Sequence, residues 1–158
     1  MAEYWVLDTN LLVDAGLHLW QIRHRPSRPA IPLPYLRDAA TYGEFVRWCR
    51  SKQVATLQSV LAEAGWVARG QLRAVPHEVD TRAPQVAASI AEVSTVIGGR
   101  IHELTKAVRF IRELGPVDSA LLALREQLGH QATLLTMDQA LRTFCRERDI
   151  PCQHFHPL

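Results

Sequence analysis

Four carboxylates stand where a chain most easily places chemistry. Asp8 ends the apolar run Tyr4-Trp5-Val6-Leu7 and opens Asp8-Thr9-Asn10, after which Leu11-Leu12-Val13 resumes. That pattern predicts a buried strand that delivers a carboxylate to the start of a helix. Asp138 follows the apolar run Ala132-Thr133-Leu134-Leu135-Thr136 in the same way, and Glu63 and Asp118 stand near expected helix starts. Ligands of open α/β sheets bind outside the carboxyl ends of the strands. Acids gathered at that edge make a pocket for a hard divalent cation, Mg2+ or Mn2+, bound through oxygen. Without a cation, packed carboxylates repel and some stay protonated. Each acid alone is an ordinary cap or helix-dipole partner. The joint pattern, Asp-Thr-Asn at one strand end and Thr-x-Asp at another, marks a site.

The elements that must position these acids alternate between strand and helix. Strands are predicted at residues 3–7, 54–57, 132–136 and 152–155. Helices are predicted at 11–22, from 38 or 41 to 51, from an N-cap at Ser59 to 67 or 69, and at 139–148. Residues 74–82 read as loop, and Pro84 suits the first position of a helix. Val86, Ile90, Val93 and Ile97 form its apolar stripe. Gly98-Gly99 breaks or bends that helix, and Ile101, Leu104, Val108, Ile111 and Leu114 resume helical spacing. Gly115-Pro116 ends it, Asp118 begins the next helix, and Gly129 fits that helix's C-terminal cap. Short strands alternating with helices predict a three-layer α/β/α sandwich with a short, mostly parallel central sheet, as a single domain over 1–158.

Composition bounds the function. With 47% hydrophobic and 22% charged residues, the chain has the balance of an ordinary soluble globule with a real core. No apolar stretch is long enough for a bilayer span and no signal peptide opens the chain, so no membrane and a cytoplasmic location are expected. Cys49, Cys145 and Cys152 lack CxxC spacing and read as reduced thiols. Cys145 and Cys152 with His154 and His156 lack the paired spacing of a zinc site. A net charge of +2 is mild, but basic residues cluster locally. Arg23, His24, Arg25 and Arg28 lead into a segment with Pro26, Pro29, Pro32 and Pro34, which excludes helix and central strand. Lys106, Arg109 and Arg112 share one expected helix face, and Arg142, Arg146 and Arg148 follow the last acid. A basic rim around an acidic pocket suits a phosphodiester, and Arg25 and Arg28 on the extended loop are the expected nucleic-acid contacts. The apolar region 84–114, or the helix near Phe45, offers a surface for a homo-oligomer.

Asp8-Thr9-Asn10, Val60-Leu61-Ala62-Glu63, Val117-Asp118-Ser119-Ala120-Leu121-Leu122-Ala123-Leu124 and Leu135-Thr136-Met137-Asp138-Gln139-Ala140-Leu141 together resemble the motifs of PIN domains, in order and over most of the chain. The resemblance implies a metal-dependent nuclease acting on RNA, with Asp8, Glu63, Asp118 and Asp138 as its catalytic and metal-binding quartet. Asn10 and Thr136 would orient the ligands. Water attacking in line would leave a 5′-phosphate and a 3′-hydroxyl. Glu44 competes with Glu63, which is preferred because it follows a strand directly. Some relatives carry a further acid where this chain has Gln139, so a second metal would be held weakly or only with substrate. Small PIN proteins include toxins neutralised by an antitoxin partner as well as RNA-processing enzymes. The other reading, from a different class, is an RNA- or protein-binding module that keeps the fold without useful turnover. No Gly-rich phosphate loop, zincin helix or Gly-x-Ser-x-Gly elbow is present.

Overall fold

The computed structural model describes residues 2–24, 31, 33–72, 79–102 and 114–155. Five strands, β1 (Tyr4–Leu7), β2 (Gln53–Leu57), β3 (Gly99–His102), β4 (Ala132–Thr136) and β5 (Cys152–His154), form one sheet in the order β3-β2-β1-β4-β5. Every pairing is parallel, with Tyr4 opposite Gln53 on one side and Ala132 on the other. β1 is therefore central. Trp5, Val6 and Leu7 are all buried, the continuous apolar run expected of a strand covered on both faces.

Among the described residues, six α-helices connect the strands: α1 (Thr9–His24), α2 (Ala39–Arg50), α3 (Gln58–Leu72), α4 (Val79–Val96), α5 (Pro116–Leu128) and α6 (Gln139–Glu147). α1, α3 and α4 pack on one another, while α5 lies along β4, β1 and β2 and α6 lies beside β5. Right-handed crossovers put the helices before β3 and those after it on opposite faces, which makes the α/β/α sandwich. Trp5 stacks on Trp48 of α2 at 5.4 Å and donates its indole N–H to the Trp48 carbonyl. Phe155 packs edge-on to both Phe45 and Trp48, tying α2 to the end of the chain. No helix among the described residues is long and apolar enough to cross a membrane.

Several expectations need correction. The helical reading of Ile101 fails: Gly99–His102 is a strand paired with β2, so the sheet has five strands rather than four. Gly98, with φ +77, is where the chain leaves α4. The remainder of that spacing, Leu104 to Ile111, lies outside the described residues, as do Lys106, Arg109 and Arg112. α4 begins at Val79, so part of the expected loop is helix and Pro84 lies inside the helix rather than at its start. Pro84 lacks the N–H that would reach the carbonyl four residues back, yet packing of the stripe against α1 retains the helix. α3 begins at Gln58, which places Ser59 within its first turn instead of at the cap. Val86, Ile90, Val93, Ile97 and Phe45 are buried within the chain, as core positions of α4 and α2.

The α1–α4 contact is close enough to exclude a side chain. A Cβ on Gly16 would lie 2.2 Å from the Ile90 Cγ1 and 2.9 Å from the Ile90 Cα. Gly16→Ala should lower stability despite alanine's better helix propensity, by about 1–3 kcal/mol. Urea denaturation checks this; a midpoint equal to or above wild type would mean the helices are not held at this separation.

Candidate functional site

The strand order reverses at the β1–β4 boundary. From β1 the chain builds outward through β2 and β3, then returns across the sheet to β4 and β5. Adjacent strands whose following helices leave to opposite faces open a crevice at their carboxyl ends. Asp8 follows β1 at that crevice and Asp138 follows β4.

Asp8 is 3% exposed. Its backbone N–H continues the ladder to the Leu135 carbonyl at 3.1 Å, which fixes where the side chain departs. The Thr9 N–H donates to Asp8 Oδ1 at 2.6 Å, and the Thr136 hydroxyl donates to Oδ2. The Thr136 oxygen in turn accepts the Asp138 N–H at 2.9 Å. One hydroxyl thus joins the ends of β1 and β4. Asp138 is the N-cap of α6, its Oδ1 accepting from the N–H groups of Ala140 and Leu141. That leaves the second carboxylate oxygen without a capping role.

Glu63 lies in the second turn of α3, which starts immediately after β2. Its carboxylate accepts a hydrogen bond from the Thr9 hydroxyl at 2.6 Å, which brings α3 to the start of α1. Asp118 occupies the first turn of α5, behind Gly115 as N-cap and Pro116 at the first helical positions. Glu44 lies on α2 with Arg47 4.0 Å away, and the carboxylates that act on Asp8 and Asp118 include Glu63 but not Glu44.

The charges of the four acids reach one another. Burial raises the Asp8 pKa; hydrogen bonds from Thr136 and Thr9 oppose the rise, and Asp138 and Glu63 add to it. Burial, then Asp8, Asp138 and Glu63 in turn, push the Asp118 carboxyl up to about 6. That rise wins over the helix dipole, which favours an ionised acid in a first turn. Among the described residues, no three His, Cys, Asp or Glu side chains are drawn together as a metal-binding group. The acids are near enough for their charges to act, while Asp8, Glu63 and Asp138 each spend an oxygen on a Thr hydroxyl or backbone N–H.

Thr136 makes the contacts expected of an orienting residue. Asn10 is half-buried in the first turn of α1, and no hydrogen bond from its side chain is present among the described residues. Arg25 and Arg28 lie outside the described residues. Arg23, from the same basic cluster, is paired with Glu92 of α4. Thr9 was not anticipated, although it holds both Asp8 and Glu63. Asp14 was missed too. It is fully buried on α1, and its Oδ2 accepts the N–H groups of Tyr35 and Leu36 at 2.7 and 2.9 Å. This anchor sets Tyr35 beside the site, where burial and then the charges of Asp14, Asp138 and Asp8 raise the phenol's pKa. The available signal was an acid between the apolar residues Val13 and Ala15.

No family model matches the chain, and no curated protein matches it. Among solved structures, it is similar to a domain of a functionally unknown protein from Methanocaldococcus jannaschii, with a TM-score of 0.51 and 10% identity over 99% of this chain and 94% of that one. At that identity the likeness supports the α/β architecture alone.

The raised Asp118 pKa has a testable sign. The folded state holds this proton more tightly than the unfolded chain, whose carboxyl titrates near 3.8. The contribution of Asp118 to stability is therefore fully present below that value and is lost as pH rises through about 6. In metal-free buffer, Asp118→Asn should raise Tm near neutral pH and lose that advantage at about pH 4. Paired melting curves test it; an advantage of equal size at both pH values would assign the gain to something other than charge.

Proposed function

We propose that this protein is a divalent-metal-dependent ribonuclease that hydrolyses RNA phosphodiester bonds, the activity implied by its resemblance to PIN domains. What supports the reading is the hydrogen bonding at the β1–β4 switch point, where Thr9 joins Asp8 to Glu63 and Thr136 joins Asp8 to Asp138, with all three acids raising the Asp118 pKa. The nearby donors are carboxylate and hydroxyl oxygens, a hard set that suits Mg2+ or Mn2+. Asp8, Glu63, Asp118 and Asp138 would hold the ion. A bound divalent cation supplies Lewis acidity toward water and the phosphoryl oxygen.

The remaining work belongs to the chain itself. The Thr136 and Thr9 hydrogen bonds favour the ionised form of Asp8 against the cost of burial. The Thr9 hydroxyl fixes the Glu63 carboxylate, and the cap bonds fix Asp138. These contacts limit how far the acids rotate when a substrate phosphate arrives, which is the positioning that orientation-dependent catalysis needs. Three free thiols suit the reducing cytoplasm, where this reading puts the protein with its RNA.

The test is cleavage of a mixed RNA pool with Mn2+, Mg2+ or EDTA. Wild type should cut with either metal and stop in EDTA. Asp8→Asn is nearly isosteric but loses the charge, and should abolish cleavage with the fold intact. Thr136→Val, which removes only an orienting hydroxyl, should cost about 10- to 100-fold. Undiminished cleavage by pure Asp8→Asn protein excludes the mechanism. A wild type that binds RNA but cuts none of the pool supports a binding module. On this reading Arg25 and Arg28, which lie outside the described residues, meet the RNA backbone. Replacing both with Ala should flatten the log–log salt dependence of single-strand binding by about 1.4; an unchanged slope would remove them from the interface.

A further inference from the structure

Trp66 is 71% exposed, although tryptophan is highly buried on average. The chain's other three tryptophans are spent inside: Trp5 and Trp20 are buried and Trp48 is half-buried against Trp5 and Phe155. Trp66 follows Glu63 by three residues on α3, so the two share a helix face with Cβ atoms about 5–6 Å apart. Long helical side chains lean toward the N-terminus, which here is the Glu63 end. Its neighbours on that face are Ala62, Arg69 and Gly70, all exposed, and the position of a Cβ on Gly70 meets no atom within 4 Å. The Arg69 guanidinium lies over the ring, 5.8 Å from its centroid.

We propose that Trp66 is a stacking platform for a base of single-stranded RNA next to the phosphate held at the acidic site. The inference rests on the ribonuclease reading and names the form of its substrate. A protein interface would need a contiguous apolar patch, and the ring is surrounded on its helix by an alanine, a glycine and charged residues. A flat aromatic surface with a guanidinium at its face is instead how proteins hold unpaired bases, through stacking that is indifferent to sequence. Base-paired RNA offers no free base face, so the site prefers unpaired strands.

Binding is measured in EDTA, so that no strand is cut, with single-stranded and hairpin RNA oligonucleotides. Single-stranded RNA should quench wild-type tryptophan emission and shield it from acrylamide, because Trp66 is the exposed fluorophore. Trp66→Ala should weaken single-strand binding about 5- to 150-fold and remove both effects, while Trp66→Phe recovers most of the affinity. Melting temperatures should match wild type, since the side chain is exposed. In the presence of metal, Trp66→Ala should raise KM more than it lowers kcat. Wild-type affinity in Trp66→Ala, equal losses in the Ala and Phe variants, or no wild-type binding of single strands overturns the proposal. So does a dimer in sedimentation that Trp66→Ala dissociates, because a second copy would then cover the ring. If Trp66→Ala loses affinity but Asp8→Asn still cuts, the platform stands and the metal mechanism falls. If Asp8→Asn is inactive but Trp66→Ala binds normally, only the platform falls.

Discussion

The Thr136 hydroxyl holds together the two strands on either side of the switch point. It donates to the buried Asp8 carboxylate and accepts the Asp138 N–H. A carboxylate at 3% exposure would otherwise carry a large desolvation cost, of which Thr136 and the Thr9 N–H offset a part. Because both threonines also touch a second acid or its backbone, the bonds that make Asp8 tolerable are those that place Glu63 and Asp138. Stability and site geometry share one set of contacts.

The rest of the fold keeps that arrangement at one edge. An all-parallel sheet must be covered on both faces, so its strand sides are core and its carboxyl ends are where polar groups meet solvent. α1 is pressed onto α4 at Gly16, and Asp14 on α1 fixes the Tyr35 backbone beside the site. α3 and α5 each bring an acid to the same crevice from opposite faces. What remains uncompensated is charge: burial and three neighbouring carboxylates hold the Asp118 pKa near 6. That residual conflict is what the proposed cation would relieve.

Much of this was legible in the sequence because the signals were local. The runs at Tyr4 to Leu7 and Ala132 to Thr136 end in an acid, and strand polarity then dictates the edge each acid reaches. Gly129 caps α5 with φ +74, as its position predicted. Glu63 was preferred to Glu44 because its helix follows β2 directly, and in the structure it accepts from Thr9 while Glu44 lies near Arg47. The failures were non-local. Ile101 continues a helical spacing, and only pairing with β2 makes its segment a strand. Val79 to Ala83 join α4 because the apolar stripe behind them packs on α1, which no window before Pro84 reveals. Thr9 looked like a spacer between Asp8 and Asn10; its role depends on Glu63, 54 residues away. Asp14 required knowledge of which backbone N–H groups would need a partner.

The most direct measurement is calorimetric titration with Mn2+ in buffers of different ionisation enthalpy, which counts the protons released on binding. If the acids share one site with a raised Asp118, binding at about pH 6 should release roughly half a proton from Asp118. The Asp118 share should shrink toward zero as pH rises to about 8, and Asp118→Asn should remove it. Absence of Mn2+ binding at every pH, or a proton count that does not change with pH, would contradict the claim that these four carboxylates form a cation site.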